Sequence, residues 1–175
     1  PSENILIGGV DAITPHVHNV GFKLGYAKAK VFDPEAFTNP NGPGALLGEG
    51  SAFFSISGKP AAEATKIEGL KMVYKPSIEE VLEAATELIG ETSIDVLVMG
   101  NSGDENEDSF YNTIAKTYPK ASNAKFKSGV GEYHSATALG VWIGHELIQN
   151  GAIHKDIHVV DNREESSNRI DGFDA

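Results

Sequence analysis

Short apolar runs that end at glycine or proline mark the predicted strands of this chain. The first, Asn-Ile-Leu-Ile-Gly-Gly-Val at residues 4–10, is typical of a buried strand. The run at 94–99 is the clearest buried strand, whereas 64–74 predicts a looser one. The full set of predicted strands is 4–10, 49–57, 64–74, 94–99, 123–128 and 157–160.

Helical spacing of apolar residues predicts the helices between these strands. Ser77 and Glu80 form a capping box that opens one helix, and Gly90 is suited to end it. The other predicted helices cover about 14–26, 109–117 and 134–149. Proline and glycine crowd residues 31–47, so a loop is predicted there.

Strands and helices alternate from residue 64 onward. This alternation predicts an α/β fold with a largely parallel sheet, covered by helices on both faces. Parallel sheets bind ligands beyond the carboxyl ends of their strands. Chemistry is therefore expected in the turn after Met99 and in the turn before His134.

Composition and charge narrow the class of protein. The chain has 175 residues, of which 40% are hydrophobic and 22% charged, as expected for one folded domain. A formal net charge of −11 opposes nucleic-acid binding. No apolar run approaches the roughly 20 residues that span a bilayer, so we expect a cytoplasmic protein without membrane association. The chain has no cysteine, which excludes a disulfide, a thiolate metal site and a cysteine nucleophile within it.

Several ligand-binding patterns are incomplete in this sequence. Asp104, Asn106 and Asp108 have the spacing that begins an EF-hand loop, but Ser109 and Ala115 replace its glycine and glutamate. The acidic run is therefore interpreted as a solvated helix start, and no phosphate-binding loop is present. We predict no metal and no cofactor. The histidine pairs without a third ligand nearby are interpreted as surface residues: His16, His18, His154 and His158.

Four short segments occur in the order found in one enzyme family. Gly8-Gly9-Val10-Asp11 ends the first strand, and Gly48-Glu49-Gly50-Ser51-Ala52-Phe53 forms the start of the second. Met99-Gly100-Asn101 ends the clearest buried strand, and Lys127-Ser128-Gly129-Val130-Gly131-Glu132 precedes the last long helix. In these segments the chain resembles the C-terminal half of a β-ketoacyl synthase of the thiolase superfamily. Its Gly-Glu-Tyr turn is similar to divergent synthases of aryl-polyene and flexirubin-type pathways.

The resemblance implies thiolase-like αβαβα layers that are incomplete in this chain. Residues 1–60 would be the last strands and loop of the N-terminal half, and residues 61–175 the C-terminal half. Such enzymes condense acyl and malonyl thioesters with loss of carbon dioxide, and here the nucleophilic cysteine would lie outside the chain. The implied partners are an acyl carrier protein, the missing N-terminal half, and a homodimer or heterodimer with a ketosynthase. Because the first sheet would have a bare edge, we expect the segment to be stable only with such partners.

The resemblance also assigns candidate site residues. The family's two histidines are replaced here by Met99 and Glu132. A thioether does not transfer protons, and an ionised glutamate repels an enolate. His134 is the candidate for the missing imidazole, although the alternative is a surface histidine. The catalytic candidates are Lys127, Glu132 and His134, and the substrate-binding candidates are Met99, Asn101 and Ser102.

Three hypotheses about function remain open at this point. The chain is part of a divergent synthase, or a non-catalytic partner subunit similar to a chain-length factor, or an unrelated α/β binding domain whose glycine turns match by chance. The polar segment 161–167 stands where the family has a glycine-rich loop, which weakens ordinary fatty-acid elongation. The synthase hypothesis requires that the turns after Met99 and Lys127 open onto one shared cavity at the same end of a single sheet.

Overall fold

Two small sheets and a set of helices make up the chain, a mixed α/β protein. The computed structural model describes residues 4–29, 42–62, 64–150 and 158–160. The strands are β1 (Asn4–Asp11), β2 (Gly50–Ser57), β3 (Val96–Met99), β4 (Ser122–Lys125) and β5 (His158–Val160). The helices are α1 (Pro15–Leu24), α2 (Ile78–Ile89), α3 (Glu105–Thr117), the single turn α4 (Lys127–Val130) and α5 (Ala136–Asn150). Within the described residues, none of these helices has both the length and the apolar character needed to cross a bilayer.

Local capping explains where the helices begin. The predicted capping box of α2 is present, since Ser77 and Glu80 each accept from the other's backbone N–H. Helix α3 begins at Glu105, four residues before the position predicted. The reason is Asp104, whose carboxylate accepts from the N–H groups of Asn106 and Glu107 and so caps the helix. The acidic run is therefore the cap and first turn of α3, where negative charge suits the helix dipole.

The first sheet pairs β1 with β2 in antiparallel register, from Asn4 opposite Ser57 to Asp11 opposite Gly50. Burial of β1 was wrongly predicted, since Leu6 is 74% exposed. A two-stranded ribbon needs other elements to cover its faces. Among the described helices, α5 packs most closely against this ribbon. One face of this ribbon, formed by Leu6, Gly8, Val10 and Phe53, is bare.

The second sheet has the strand order β3-β4-β5. Strands β3 and β4 are parallel, but β5 is antiparallel to β4, so the prediction of a largely parallel sheet is wrong for this strand. The alternation of strands and helices sets the order of elements along the chain. It does not set the direction in which the last strand enters the sheet.

The predicted strand at 64–74 is not formed, and this prediction is wrong. A strand needs a neighbour for its backbone hydrogen bonds, and none of the described strands pairs with this segment. Its apolar side chains consequently project into solvent, with Leu70 85% and Tyr74 86% exposed. A hydrogen bond connects this segment to α5, because the Thr65 hydroxyl is 2.7 Å from Nδ1 of His145.

The main core lies between α5 and the second sheet. Phe126, Tyr133, Ala136 and Ile143 form its buried centre, and Val98, Val130, Leu139 and Leu147 pack against it. The α5 residues of this core, Ala136, Leu139, Ile143 and Leu147, follow one another at three or four positions and form an apolar stripe on the helix. Trp142 lies outside it, on the exposed side of the helix.

Candidate functional site

The turn after β3 and the turn before α5 lie side by side. Leu46 joins them, since its N–H donates to the Ser102 carbonyl at 3.1 Å and its carbonyl accepts from Glu132 N–H at 2.7 Å. Asn101 and Glu132 therefore occupy the same region of the molecule. The cleft beside Glu132 is lined by none of Met99, Asn101 and Ser102, so a cavity shared by the two turns stays a prediction.

Glycine is needed where the β1–β2 sheet meets the turn before α5. A side chain at Gly48 would have its Cβ 1.7 Å from the Val130 carbonyl oxygen, and one at Gly50 would lie 2.5 Å from the Tyr133 hydroxyl. At Gly9 a Cβ would be 3.0 Å from that of Ser135. Gly48 is thus needed for close approach to the backbone of the turn at 127–135, and Gly9 and Gly50 leave room for the side chains of Ser135 and Tyr133.

Lys127 forms a nearly buried ion pair with Glu132. Its side chain is 9% exposed, and its ammonium donates to the Glu132 carboxylate. This lysine begins α4, and Glu132 follows the turn at Gly131, whose φ of +77° favours glycine. The pair neutralises both charges at the carboxyl end of β3, where low exposure strengthens their attraction.

The loop at 100–103 is held by the buried carboxylate of Asp108. Its oxygens accept from Ser102 N–H at 2.9 Å and from Gly103 N–H at 3.3 Å. Burial raises the pKa of Asp108, while the Ser102 hydrogen bond acts in the opposite direction. Ser102 also donates its hydroxyl to Glu107. The loop is therefore fixed by α3 rather than by its own residues.

The three residues predicted to bind substrate lie in or beside this loop. Met99 and Ser102 are buried, and Asn101 is 1% exposed. The amide oxygen and nitrogen of Asn101 meet no hydrogen-bond partner in the described part of the chain. The Asn101 side chain nevertheless contributes to lowering the pKa of Asp108, so it lies beside that carboxyl and belongs to the network that fixes the loop.

Tyr111 is a member of the site that the sequence did not reveal. Its hydroxyl lies 2.8 Å from the position that a Cβ on Gly100 would take, and the Lys127 Nζ lies 3.3 Å from the same position. Burial raises the pKa of Tyr111, and the carboxylates of Glu107, Glu132 and Asp108 raise it further. Tyr111 follows Asp108 by one helical turn on α3. This spacing in the sequence places the two side chains on the same face of the helix.

An open cleft of about 170 Å³ lies next to this cluster, on the side of Glu132. Its wall includes Asp11, Ile13, Tyr26, Glu132, Tyr133 and His134. The side chain of His134 is 93% exposed, with Nδ1 3.8 Å from the Asp11 carboxylate. His134 thus lies at the rim beside Asp11, whereas Glu132 connects the cleft to the buried lysine.

Asp11 ties the end of β1 to the start of α5. Its carboxylate accepts from both the hydroxyl and the N–H of Ser135, the latter at 2.8 Å. The hydroxyl, then the N–H, holds the pKa of Asp11 below its usual value, with a smaller contribution from His134. The two hydrogen bonds between Asp11 and Ser135 position the turn that carries Glu132 and His134.

The histidines and acidic residues of the described chain form no cluster of three or more that could hold a metal ion. His18 contacts the Lys28 carbonyl at 3.2 Å, and the side chains of His154 and His158 lie outside the described residues. Residues 161–167 also lie outside them. No protein-family model, curated protein or solved structure gave a significant match to the chain.

Proposed function

We propose that this chain is part of a divergent β-ketoacyl-carrier-protein synthase with thiolase-like layering. The observation that carries the proposal is the nearly buried ion pair of Lys127 and Glu132 beside Gly100, at the carboxyl end of β3. Both charged residues come from the turn on which the family resemblance rests. A lysine with so little exposure is uncommon outside a site or an ion pair with a structural role.

The proposed reaction is the condensation of an acyl group with a malonyl thioester. The bond between the malonyl carboxylate and the α carbon breaks, and carbon dioxide leaves. The enolate carbon then attacks the acyl thioester, the acyl carbon–sulfur bond breaks, and the cysteine leaves as a thiolate that takes up a proton from water. In this proposal the acyl group is held by a cysteine outside this chain, and an acyl carrier protein delivers the malonyl unit. Lys127 provides positive charge near the thioester oxygen, and Glu132 orients the lysine.

A non-catalytic partner subunit is the second candidate, and one observation favours it. Met99 is buried and uncharged at the position where the family has a histidine, so it supplies no acid–base group. In this alternative the fold serves to pair with an active ketosynthase. The bare face of the β1–β2 ribbon and the exposed segment 67–74 are the surfaces that such a partner, or the N-terminal half of the protein, would cover.

The two candidates separate in one experiment on the longest natural form of the protein. After incubation with an acyl-carrier thioester, mass spectrometry of the intact protein reports covalent acylation. A parallel incubation with malonyl-coenzyme A reports conversion to acetyl-coenzyme A. An acyl mass increase with decarboxylation supports the enzyme. Neither product, together with a stable complex formed with an active ketosynthase, supports the subunit and overturns the enzyme.

A further inference from the structure

The proposed reaction needs a neutral hydrogen-bond donor beside Gly100, and Met99, Glu132 and His134 do not supply one. Met99 carries no proton to donate, and Glu132 already accepts from Lys127. His134 lies at the exposed rim of the cleft. Negative charge on an enolate oxygen requires donors placed before the reaction, because preorganised donors give the largest stabilisation.

Tyr111 has the position of such a donor. Its hydroxyl and the Lys127 Nζ converge on the same side of Gly100, at 2.8 Å and 3.3 Å from the place of the missing Cβ. In the described residues the tyrosine hydroxyl has no hydrogen-bond partner. Glycine at position 100 therefore lets two donors, one neutral and one cationic, pack together against the backbone, where a side chain would collide with them.

The tyrosine keeps its proton at neutral pH. Burial and the neighbouring carboxylates Glu107, Glu132 and Asp108 all raise the pKa of its phenol. A phenol that does not ionise donates a hydrogen bond without adding negative charge to a site already rich in carboxylates. The Lys127–Glu132 pair has no net charge. The phenol adds a neutral hydrogen-bond donor beside it.

We propose that the Tyr111 hydroxyl, together with the Lys127 ammonium, binds the thioester oxygen of a malonyl unit and stabilises the negative charge that develops on it. This inference rests on the proposed function and adds to it a catalytic residue. During decarboxylation the electron pair of the breaking carbon–carbon bond forms the enolate double bond. The carbonyl electron pair moves to the oxygen, and carbon dioxide leaves. The tyrosine proton is shared in a hydrogen bond and not transferred.

The test compares Tyr111→Phe with Tyr118→Phe, which removes the same hydroxyl from the C-terminal end of the same helix. The rate of malonyl-coenzyme A decarboxylation is measured on the longest natural form. Tyr111→Phe is expected to lower kcat by roughly 100- to 1000-fold, as for loss of one oxyanion donor, and also to raise KM, because the same hydroxyl binds the oxygen of the unreacted thioester. Tyr118→Phe should leave both constants unchanged. Circular dichroism and Tm report whether each variant is folded.

A binding measurement makes the inference independent of turnover. A malonyl analogue with an amide in place of the thioester binds without decarboxylating, and calorimetry gives its affinity for each variant. Weaker binding by Tyr111→Phe than by Tyr118→Phe supports the donor role. If the wild-type protein decarboxylates and Tyr111→Phe is equally fast, the donor role is wrong while the enzyme stands. If the wild-type protein is inactive, the enzyme proposal is wrong, and equal affinities then also overturn the donor role.

Discussion

The Lys127–Glu132 pair illustrates how a short motif gains meaning from its surroundings. The two residues stand five positions apart in a glycine-rich turn of the sequence. In the structure the lysine is enclosed by Gly100 and Phe126, and Glu132 provides its countercharge. An enclosed charge requires a partner, because desolvation is costly.

Glu132→Gln is expected to destabilise the longest natural form of the protein by about 2 kcal/mol, measured as the free energy of unfolding in urea. The glutamine removes the countercharge of the nearly buried ammonium, while partial exposure of Glu132 limits the loss. The double variant Lys127→Met/Glu132→Gln should recover part of the loss, since no charge is then left unpaired. If Glu132→Gln alone unfolds at the wild-type urea concentration, the pair does not stabilise this turn.

At the scale of elements, the joint between β1 and α5 depends on one ionised group. Asp11 accepts two hydrogen bonds from Ser135, and both favour its ionised form. Because its folded-state pKa lies below the unfolded value, Asp11 adds stability above about pH 4. This contribution is lost as the pH falls below that value through the lowered folded-state pKa.

Ser135→Ala should therefore make stability less dependent on pH in the acid range. The serine hydroxyl is the largest cause of the lowered pKa, so its removal brings the folded and unfolded values closer. The measurement is the Tm of the longest natural form of the protein at intervals from about pH 6 to pH 2. The wild-type Tm should exceed that of the variant near pH 6, and the gap should narrow toward pH 2. Ser51→Ala, at an exposed site on β2, serves as the control and should reproduce the wild-type slope. If the difference in Tm between wild type and Ser135→Ala stays constant with pH, the Asp11–Ser135 hydrogen bonds are not the origin of the pH dependence.

The elements with their own local signals were predictable from sequence. The apolar spacing and capping box fixed α2, and the apolar stripe fixed the buried side of α5. The cap of α3 was missed because Asp104 was interpreted as part of a solvated run, although its carboxylate bonds two backbone N–H groups. Tyr111 was missed because its role depends on Gly100 and Lys127, which are brought near it only by tertiary packing.

Pairing between distant segments was less predictable, for a physical reason. Segment 64–74 has apolar residues suited to a strand, but strand formation depends on a neighbour that the described chain does not provide. The apolar run of β1 correctly predicted a strand, while its burial depends on what covers the sheet. Local sequence sets the conformation that a segment favours, and partners decide whether it is paired and buried.

The exposed apolar surface is the dominant feature of the molecule as a whole. Among the described residues, the buried hydrophobic side chains larger than alanine are Leu46, Met99, Phe126, Tyr133 and Ile143. Large apolar side chains are instead exposed on the bare face of the ribbon and along 67–74. Contiguous surfaces of this kind mark sites where another protein surface binds. They also contribute nothing to the stability of the isolated chain, because burial is the source of that stability.

We therefore expect residues 1–175, purified alone, to associate or to melt without a cooperative transition. Sedimentation velocity measures the association, and calorimetry the melting. Replacing Leu6 and Phe53 by serine should reduce association, because both belong to the bare face of the ribbon. Serine at Ile148, an exposed apolar position on α5, is the matched control and should have a smaller effect. A monomer that melts in one cooperative step would show that this surface needs no partner, and it would remove the main support for a missing half or a subunit interface.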